Sequence, residues 1–484
     1  MIDIRPILHV IGLLLTGLAV AMVIPALADG VSSHPDWKVF AVCAAATAFV
    51  GVLLVLTTHS RNLARFNLRQ SFVLTSAAWA MLSAFSALPF LFLEQELNYA
   101  DAFFEAISGL TTTGATVLNG LDGLPPGMLL WRSLLHWVGG IGIVFMAIIM
   151  LPFLRVGGMQ LFQTESSTDR KERVVPRPVQ LVALIGLIYM ALTLLCIAGY
   201  WAAGMTLFDA LCHAMTTVST GGFSTHDASF GYFQNPVIEW TAVLFMAAGA
   251  IPFVVYVRTL RGHPQVLWRH TQVRAFAIFA LVICVVLALW LTFTQDRSFG
   301  DALRAAAFNA VSIITTTGFA SENYILWGPF AAAIFLMLTF VGGCTGSTSG
   351  AVKIFRFQIL WRVARAHLRR LSWPHRVVVI SYAGEPLPED IPPSVLAFLA
   401  AYFMTVAFIT VVLAGMGYDL VTSFSAAATA IGNVGPGLGD IIGPAGNFSM
   451  LSDAAKWVLS AAMLLGRLEL FTLLVLLDPG FWRD

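Results

Sequence analysis

The sequence predicts an all-α membrane protein that crosses the bilayer many times. Of its 484 residues, 58% are hydrophobic and 11% are charged, and the mean hydropathy is +0.82. A soluble domain carries about 25% charged residues, so a soluble chain of this size has no means of hiding so much apolar surface. The apolar residues form runs of membrane-spanning length, and four short Thr/Gly stretches stand between these runs.

About ten apolar runs have the length of a transmembrane helix, roughly 20 residues. They lie near 7–28, 38–58, 71–93, 128–152, 179–203, 237–257, 274–294, 329–356, 395–415 and 454–477. The first run ends in "ALADG", where Ala26 and Ala28 are spaced as at a signal-peptidase site. Its length nevertheless favours a helix that stays in the membrane.

Basic residues concentrate in four segments between the runs, at 59–70, 153–178, 256–274 and 353–376. The intervening segments are acidic or nearly neutral, as at 94–105. Because basic loops stay in the cytoplasm, these four segments and both termini are expected there. The formal net charge of +1 gives no general attraction to nucleic acid.

The four Thr/Gly stretches all fall on the opposite, outer side. They read "LTTTGATV" (110–117), "VSTGGFST" (218–225), "ITTTGFAS" (314–321) and "ATAIGNVG" (428–435). A helical segment too short to cross the membrane precedes each one, at 100–110, 207–217, 301–314 and 419–428. The sequence therefore predicts one unit, span–short helix–Thr/Gly segment–span, four times over.

Finer matches support the repeat when the stretches are aligned on Gly114, Gly222, Gly318 and Gly432. Asp101, Asp209 and Asp419 stand thirteen residues earlier in three of the four, and Ser108, Thr216, Ser312 and Ala426 stand six residues earlier. The aspartates are expected to be helix N-caps, although charges at an outer mouth would also concentrate cations.

Non-helical backbone at membrane depth survives only where protein buries it or water wets it. Glycine reaches positive φ without a side-chain penalty, so neighbouring carbonyls can face one way. Four such segments around one axis would form a ring of oxygens that replaces the hydration shell of a monovalent cation. The negative C-terminal ends of the short helices would attract the same ion.

These motifs, in this order and between these spans, resemble the Trk/Ktr/HKT superfamily of potassium transporters, and in particular its TrkH-type transmembrane subunits, which also have two extra N-terminal spans. The resemblance implies potassium uptake across the bacterial inner membrane, with K+ as the transported ion and no tightly bound cofactor. It implies boundaries of 1–70 for the N-terminal pair of helices and 71–152, 179–257, 274–376 and 393–484 for four pore repeats.

A homodimer and a cytosolic TrkA-like nucleotide-binding regulator are the partners that the resemblance implies. The segment "RVARAHLRR" (362–370) is dense enough in positive charge to dock such a regulator.

The same resemblance implies the residues of the selectivity filter. In plant relatives a serine in place of the first-repeat glycine goes with sodium transport, so Gly114 favours potassium here. The implied filter residues are Thr112, Thr113, Gly114, Thr220, Gly221, Gly222, Thr316, Thr317, Gly318, Ile431, Gly432 and Asn433.

The eighth run is interrupted by "GGCTGSTSGAVK" (342–353). It lacks the GxxxxGK[ST] pattern of a phosphate-binding loop, so a nucleotide site is not expected. A packing kink is one explanation; the other, which the resemblance favours, is an intramembrane gating loop. The gating residues would be Gly342, Gly343, Thr345, Gly346, Ser347, Gly350 and, in the last span, Arg467.

Arg467 is costly at the bilayer centre, about 3 kcal/mol on insertion scales, unless it faces protein or water. It would be an electrostatic brake on cations below the filter or one half of an interior salt bridge. Glu469 is placed either to neutralise it or to point elsewhere.

Other functions fit less well. Broken helices also suit a secondary transporter of an organic solute or a sodium-coupled symporter, but such folds usually repeat twice rather than four times. No nucleophile–base pair, metal-ligand spacing or cofactor motif indicates an enzyme, and the five cysteines are expected to be buried thiols. Passive and proton- or sodium-coupled flow both remain open.

Overall fold

The computed structural model describes residues 3–59, 67–93, 97–150, 178–373, 375 and 378–483. The basic residues Arg61, Arg65 and Arg376 and the segment 151–177 lie outside these ranges. Within them the chain is mostly helical, as the sequence predicts.

The N-terminal part contains five α-helices. They are α1 (Arg5–Val31), α2 (Trp37–Thr57), α3 (Leu68–Ser86), the short α4 (Tyr99–Leu110) and α5 (Pro126–Met150). Helix α1 packs along α2, and the Asp29 carboxylate near its end accepts a hydrogen bond from the Gly127 N–H at 2.6 Å. The first apolar run is thus an integral part of the fold.

The middle of the chain continues with α6 (Pro178–Ala202), the short α7 (Leu207–Val218), α8 (Pro236–Gly249), α9 (Phe253–Leu260) and α10 (Gln265–Arg269). Helix α11 (Thr271–Gln295), the short α12 (Phe299–Ile314) and α13 (Pro329–Leu338) follow. Strand β1 (Val341–Gly342) then pairs in parallel with β2 (Val352–Lys353) across a loop, 343–351, which we call the inner loop.

The C-terminal part begins with α14 (Ile354–Ser372) and a hairpin of β3 (Ser381–Tyr382) and β4 (Glu385–Pro386). It ends with α15 (Ile391–Gly415), the short α16 (Leu420–Gly432), α17 (Asp453–Arg467), α18 (Phe471–Leu474) and α19 (Pro479–Arg483).

Seven helices in the described ranges are long and apolar enough to cross a membrane, or nine if two bent pairs each count as one span. The bends are 92° between α8 and α9 and 107° between α17 and the chain from Phe471. The run at 329–356 differs from an unbroken span, because α13 ends at Leu338 and the inner loop follows. The glycines and hydroxyl residues there favour irregular backbone, so the prediction of about ten spans stays a prediction.

The four expected short helices are present and carry side-chain caps. Asn98, Thr206, Ser298 and Asp419 each accept a hydrogen bond from the N–H three residues on. The prediction that Asp101 and Asp209 are caps is wrong, because both lie in the first helical turn instead. A carboxylate there still stabilises the helix, since it lies close to the positive end of the helix dipole. Asp419 is a cap as predicted.

Candidate functional site

The same backbone turn follows each short helix. Thr112, Thr220, Thr316 and Asn433 have φ values of 51°, 53°, 59° and 53°, and the glycines two residues further on, Gly114, Gly222, Gly318 and Gly435, have values of 82°, 86°, 86° and 102°. The intervening residue donates its N–H back to a carbonyl five residues earlier in every case. These bonds are Thr113 to Ser108 at 2.9 Å, Gly221 to Thr216 at 2.8 Å, Thr317 to Ser312 at 2.8 Å and Val434 to Thr429 at 3.0 Å.

This pattern corrects the fourth member of the sequence alignment. Gly432 is the last residue of α16 and has no left-handed φ, whereas Gly435 occupies the position of the other three glycines. Ile431 lies in the last turn of the helix rather than in the segment after it. A signal was present in the sequence: alignment on Gly435 places Thr429, instead of Ala426, opposite the three other hydroxyl residues.

The four glycines and the residues before them form a closed ring. A Cβ at Gly114 would strike the carbonyl oxygen of Gly221, one at Gly222 that of Thr317, and one at Gly318 that of Val434. A Cβ at Gly435 would lie 2.8 Å from the oxygen of Thr113, which returns the contact to the first segment. One carbonyl oxygen of each segment therefore lies against the glycine of a neighbouring segment, and each of the four short helices ends directly before its segment.

A cavity of about 80 Å³ opens above the ring and is lined by all four of these glycines. His226 lines it too and is hydrogen-bonded to Asp122, while its other ring nitrogen lies 3.5 Å from Asp209. The hydrogen bond with His226 holds the pKa of the exposed Asp122 carboxyl below its ordinary value. The mouth of the ring therefore keeps a carboxylate charge to a lower pH than an isolated aspartate.

A buried ion pair that the sequence-based predictions did not include is hydrogen-bonded to two segments of the ring. The Arg132 Nε lies 2.8 Å from Glu105 Oε1, and both side chains are almost fully buried. Glu105 also accepts hydrogen bonds from the Thr116 hydroxyl and the Val117 N–H, and Arg132 donates to the Ser224 carbonyl at 2.8 Å. The pair therefore ties the first Thr/Gly segment to the second. No local sequence motif predicts this ion pair, because its two residues lie on different helices.

The inner loop lies directly beneath the ring. The Gly350 N–H donates to the Thr316 hydroxyl at 2.6 Å, and the Thr220 hydroxyl donates to that of Thr348 at 3.2 Å. The Ala351 N–H donates to the Gly432 carbonyl at 2.8 Å. The loop is thus bonded to three of the four segments at their inner ends.

The predicted gating residues all belong to this region. Gly342 lies in β1, and a Cβ there would strike the Gly350 carbonyl; a Cβ at Gly343 would lie 2.6 Å from the Ser349 hydroxyl. Ser347 donates its hydroxyl to the Cys344 carbonyl at 2.6 Å. The Thr345 N–H donates to the Gln272 side-chain oxygen at 2.9 Å, and the Gly346 carbonyl accepts from the Phe253 N–H at 3.0 Å.

Arg467 is 3% exposed and ends α17 rather than standing midway along a span. Its Nη1 donates to the Thr348 carbonyl at 3.0 Å, and its Nε and Nη2 have no hydrogen-bond partner among the described residues. Glu469 pairs with Arg356 instead. No carboxylate within the described ranges pairs with Arg467, which contradicts the explanation as an interior salt bridge, and Glu469 takes the second of its two expected placements by pointing elsewhere.

Two more cations accompany Arg467. Lys353 and Arg356, which the sequence places in a cytoplasmic basic segment, are in fact buried. Together with Arg467 and Glu469 they line a cavity of about 50 Å³ beneath the loop. Three positive groups thus face one carboxylate on this side of the ring.

Among the described residues, no cluster of three or more His, Cys, Asp or Glu side chains has the geometry of a metal site. All five cysteines are buried free thiols, as predicted.

Comparison with known proteins agrees with this architecture. The model of the TrkH family, a cation transport protein family, matches residues 36–479. The chain is 45% identical to the Trk system potassium uptake protein TrkI of Halomonas elongata, with 99% of this chain and 97% of that one covered. It is 36% identical to the Trk system potassium uptake protein TrkH of Escherichia coli K12, with 99% of each chain covered.

A solved structure is similar over its whole length. The crystal structure of the potassium transporter TrkH from Vibrio parahaemolyticus superposes with a TM-score of 0.91 and 36% identity, and the alignment covers 100% of both chains. The chain therefore belongs to the TrkH family of cation transport proteins.

Proposed function

We propose that this chain carries potassium into a bacterial cell across the cytoplasmic membrane, through a pore whose selectivity filter is the ring described above. The closed chain of contacts from Gly114 through Gly222 and Gly318 to Gly435 is the observation that carries the proposal. The relatives named as potassium uptake proteins support the choice of ion.

The ring has the chemistry of a site for a dehydrated monovalent cation. The carbonyl oxygens of Thr113, Gly221, Thr317 and Val434 replace water around the ion. The C-terminal ends of α4, α7, α12 and α16 add partial negative charge, equivalent to about half an elementary charge each. Gly114 in the first segment favours potassium over sodium.

The inner loop and Arg467 form the gate in this proposal. The loop is bonded beneath the ring, and Arg467 holds it through the Thr348 carbonyl. A fixed guanidinium in a narrow pore raises the barrier to cations, and Lys353 adds to it. Opening then requires the loop and these two positive groups to withdraw from the axis.

The cytosolic surface would receive a TrkA-like nucleotide-binding regulator, with the transporter present as a homodimer and both termini in the cytoplasm. Arg365, Arg369 and Arg370 on α14 are exposed and suit an acidic partner surface. The same helix begins at the inner end of the loop. A partner that moves α14 would therefore act directly on the gate.

The experiment is potassium uptake in a host that lacks its own uptake systems, with Gly318→Ser compared with the unaltered chain. A side chain at Gly318 strikes the Val434 carbonyl, so growth on low potassium and the preference for potassium over sodium should both fall. Gly120→Ser is the matched control, because Gly120 also has a positive φ, 67°, but an added Cβ there meets no atom within 4 Å.

Unchanged selectivity in Gly318→Ser, or an equal loss in Gly120→Ser, would contradict the filter. Transport of a small organic solute, or sodium-coupled symport, would then become the better explanation of the broken helices.

A further inference from the structure

The small cavity beneath the inner loop contains more positive charge than its one carboxylate neutralises. Lys353, Arg356 and Arg467 line it together with Glu469. The Arg356 Nη2 lies 2.5 Å from Glu469 Oε2, whereas neither Lys353 nor Arg467 has a carboxylate partner within the described ranges. Both of these cations are buried. Because a buried charge without a counter-charge is costly, the cavity favours a negatively charged occupant.

The guanidinium of Arg467 has unused hydrogen-bonding capacity at this cavity. Its Nη1 donates to the Thr348 carbonyl at 3.0 Å, while its buried Nε and Nη2 have no hydrogen-bond partner in the described part of the chain. An arginine stays protonated in proteins, so these donors keep their positive charge. An anion that accepts from both nitrogens would remove the cost of leaving them unsatisfied.

Lys353 supplies a second cation from the end of the inner loop. It lies in β2, and its Nζ donates to the Ser349 carbonyl and, at 3.3 Å, to the Ser349 hydroxyl. An ammonium group has three donors, so one N–H remains for a further acceptor. Lys353 and Arg467 therefore line the same cavity from two different parts of the fold.

The dimensions of the cavity select a small occupant. Its volume is about 50 Å³, and about 10–15 Å³ is enough for one water molecule. The cavity therefore holds a single inorganic ion, and an organic anion such as gluconate is too large for it. The Glu469 side chain on its wall is 27% exposed, so an ion can enter from solvent at that edge.

We infer that this cavity is a binding site for one small inorganic anion of the chloride class, which bridges Arg467 at the end of α17 and Lys353 at the end of the inner loop. Arg467 already bonds to the Thr348 carbonyl and Lys353 to Ser349. A bound anion would connect these contacts and stabilise the inner loop beneath the ring. Neither the binding nor this stabilisation depends on the proposed function.

The binding test measures the unfolding temperature of the full-length protein in detergent, as potassium chloride replaces potassium gluconate at constant total salt. The unfolding temperature should rise once chloride exceeds its dissociation constant, because a ligand that binds only the folded state stabilises it by mass action. Loss of a hydrogen bond to a charged group corresponds to roughly tenfold in affinity or more. In Arg467→Gln the rise should therefore begin at a chloride concentration at least ~10-fold higher.

Two further variants and one control separate the site from a general effect of salt. Lys353→Met should weaken the chloride response as Arg467→Gln does, whereas Arg467→Lys keeps the charge and should retain part of it. Arg365→Gln is the matched control, because Arg365 is an exposed arginine on α14 that does not line the cavity. An unchanged response in Arg467→Gln and Lys353→Met, or an equal loss in Arg365→Gln, would overturn the site.

The position of the ion is tested without any substitution. Crystals of the unaltered protein grown with bromide in place of chloride should show an anomalous-scattering peak between Arg467 and Lys353. The lack of a peak there would overturn the assignment, even if the variants fail to fold.

The effect on the inner loop is measured as hydrogen–deuterium exchange of the backbone amides of 343–351, in chloride and in gluconate. At a chloride concentration about ten times the dissociation constant, exchange should slow roughly tenfold in the unaltered protein. It should be unaffected by chloride in Lys353→Met. Chloride binding that leaves the exchange of the loop unchanged would overturn the bridge.

Discussion

The assignment of Gly435, rather than Gly432, to the ring can be tested by adding one methyl group at each position. Gly435 has a φ of 102°, a region that L-residues avoid. Gly432 has an ordinary φ at the end of α16, where alanine is the better helix former. The two positions thus lie three residues apart and differ in whether the backbone tolerates a side chain.

The structure gives the scale of the difference. A Cβ at Gly435 would lie 2.8 Å from the Thr113 oxygen, about 0.5 Å inside an ordinary contact of roughly 3.3 Å. The left-handed φ costs about 1–2 kcal/mol, and overpacking adds about 1–3 kcal/mol. A Cβ at Gly432 meets the Thr339 oxygen at 3.0 Å, about 0.3 Å inside the same contact, without backbone strain.

A displacement of about 0.5 Å is at the limit for a preorganised binding site. Gly435→Ala should therefore reduce the preference for potassium over sodium by roughly tenfold or more, which corresponds to about 1.4 kcal/mol. Gly432→Ala should retain most of it. The assay is uptake of rubidium tracer in competition with potassium and with sodium, with surface expression measured for both variants. A greater loss in Gly432→Ala than in Gly435→Ala would refute the register.

Three further predictions concern the support of the ring and the gate. Gly350→Ala places a methyl group against the Gly432 carbonyl and should displace the inner loop, which would appear as higher basal potassium flux in vesicles without a regulator; unchanged or lower flux would contradict the gate. Arg467→Gln removes a buried charge beneath the ring and should also raise flux, and a fall in flux at equal protein would count against an electrostatic barrier. Glu105→Gln leaves Arg132 buried without a counter-charge and should lower the free energy of unfolding by about 3–5 kcal/mol, seen as a lower unfolding temperature in detergent. The control Glu322→Gln breaks a partly exposed pair and should lower it by no more than about 1 kcal/mol.

The helices and the site could be predicted from the sequence to different extents. Apolar runs and Thr/Gly stretches indicate spans and short helices directly, because both depend on local composition. The register of the fourth segment cannot be predicted in this way, because "AIGNVGPG" contains glycines at 432, 435 and 437. Only the backbone turn at Asn433 shows which of them belongs to the ring. That turn depends on the Val434 N–H bonding to Thr429, a contact without a sequence motif.

Charge was the least predictable property. Lys353 and Arg356 belong to a strongly basic stretch, and the positive-inside rule places the whole stretch in the cytoplasm. The preceding helix ends at Leu338 and the inner loop follows it, so that both residues lie buried beneath the ring. Only the later part of α14 is exposed. A rule that counts charges per loop cannot divide one basic stretch between buried residues and an exposed surface.

The fourth segment differs from the others in a way that connects the ring to α17, the helix that ends at Arg467. Its left-handed residue is Asn433 in place of threonine, and the amide donates both to the Thr113 hydroxyl at 3.0 Å and to the Met463 carbonyl at 2.9 Å. A Cβ at Gly466, next to Arg467, would strike the Ile431 carbonyl. One side chain thus holds the first segment and α17 together, and at Gly466 the backbone of α17 packs directly on the backbone at the end of α16. Arg467 ends that same helix. If the proposed gate opens by withdrawal of Arg467, we therefore expect the movement to displace the fourth segment of the ring as well, and opening and selectivity to be coupled there.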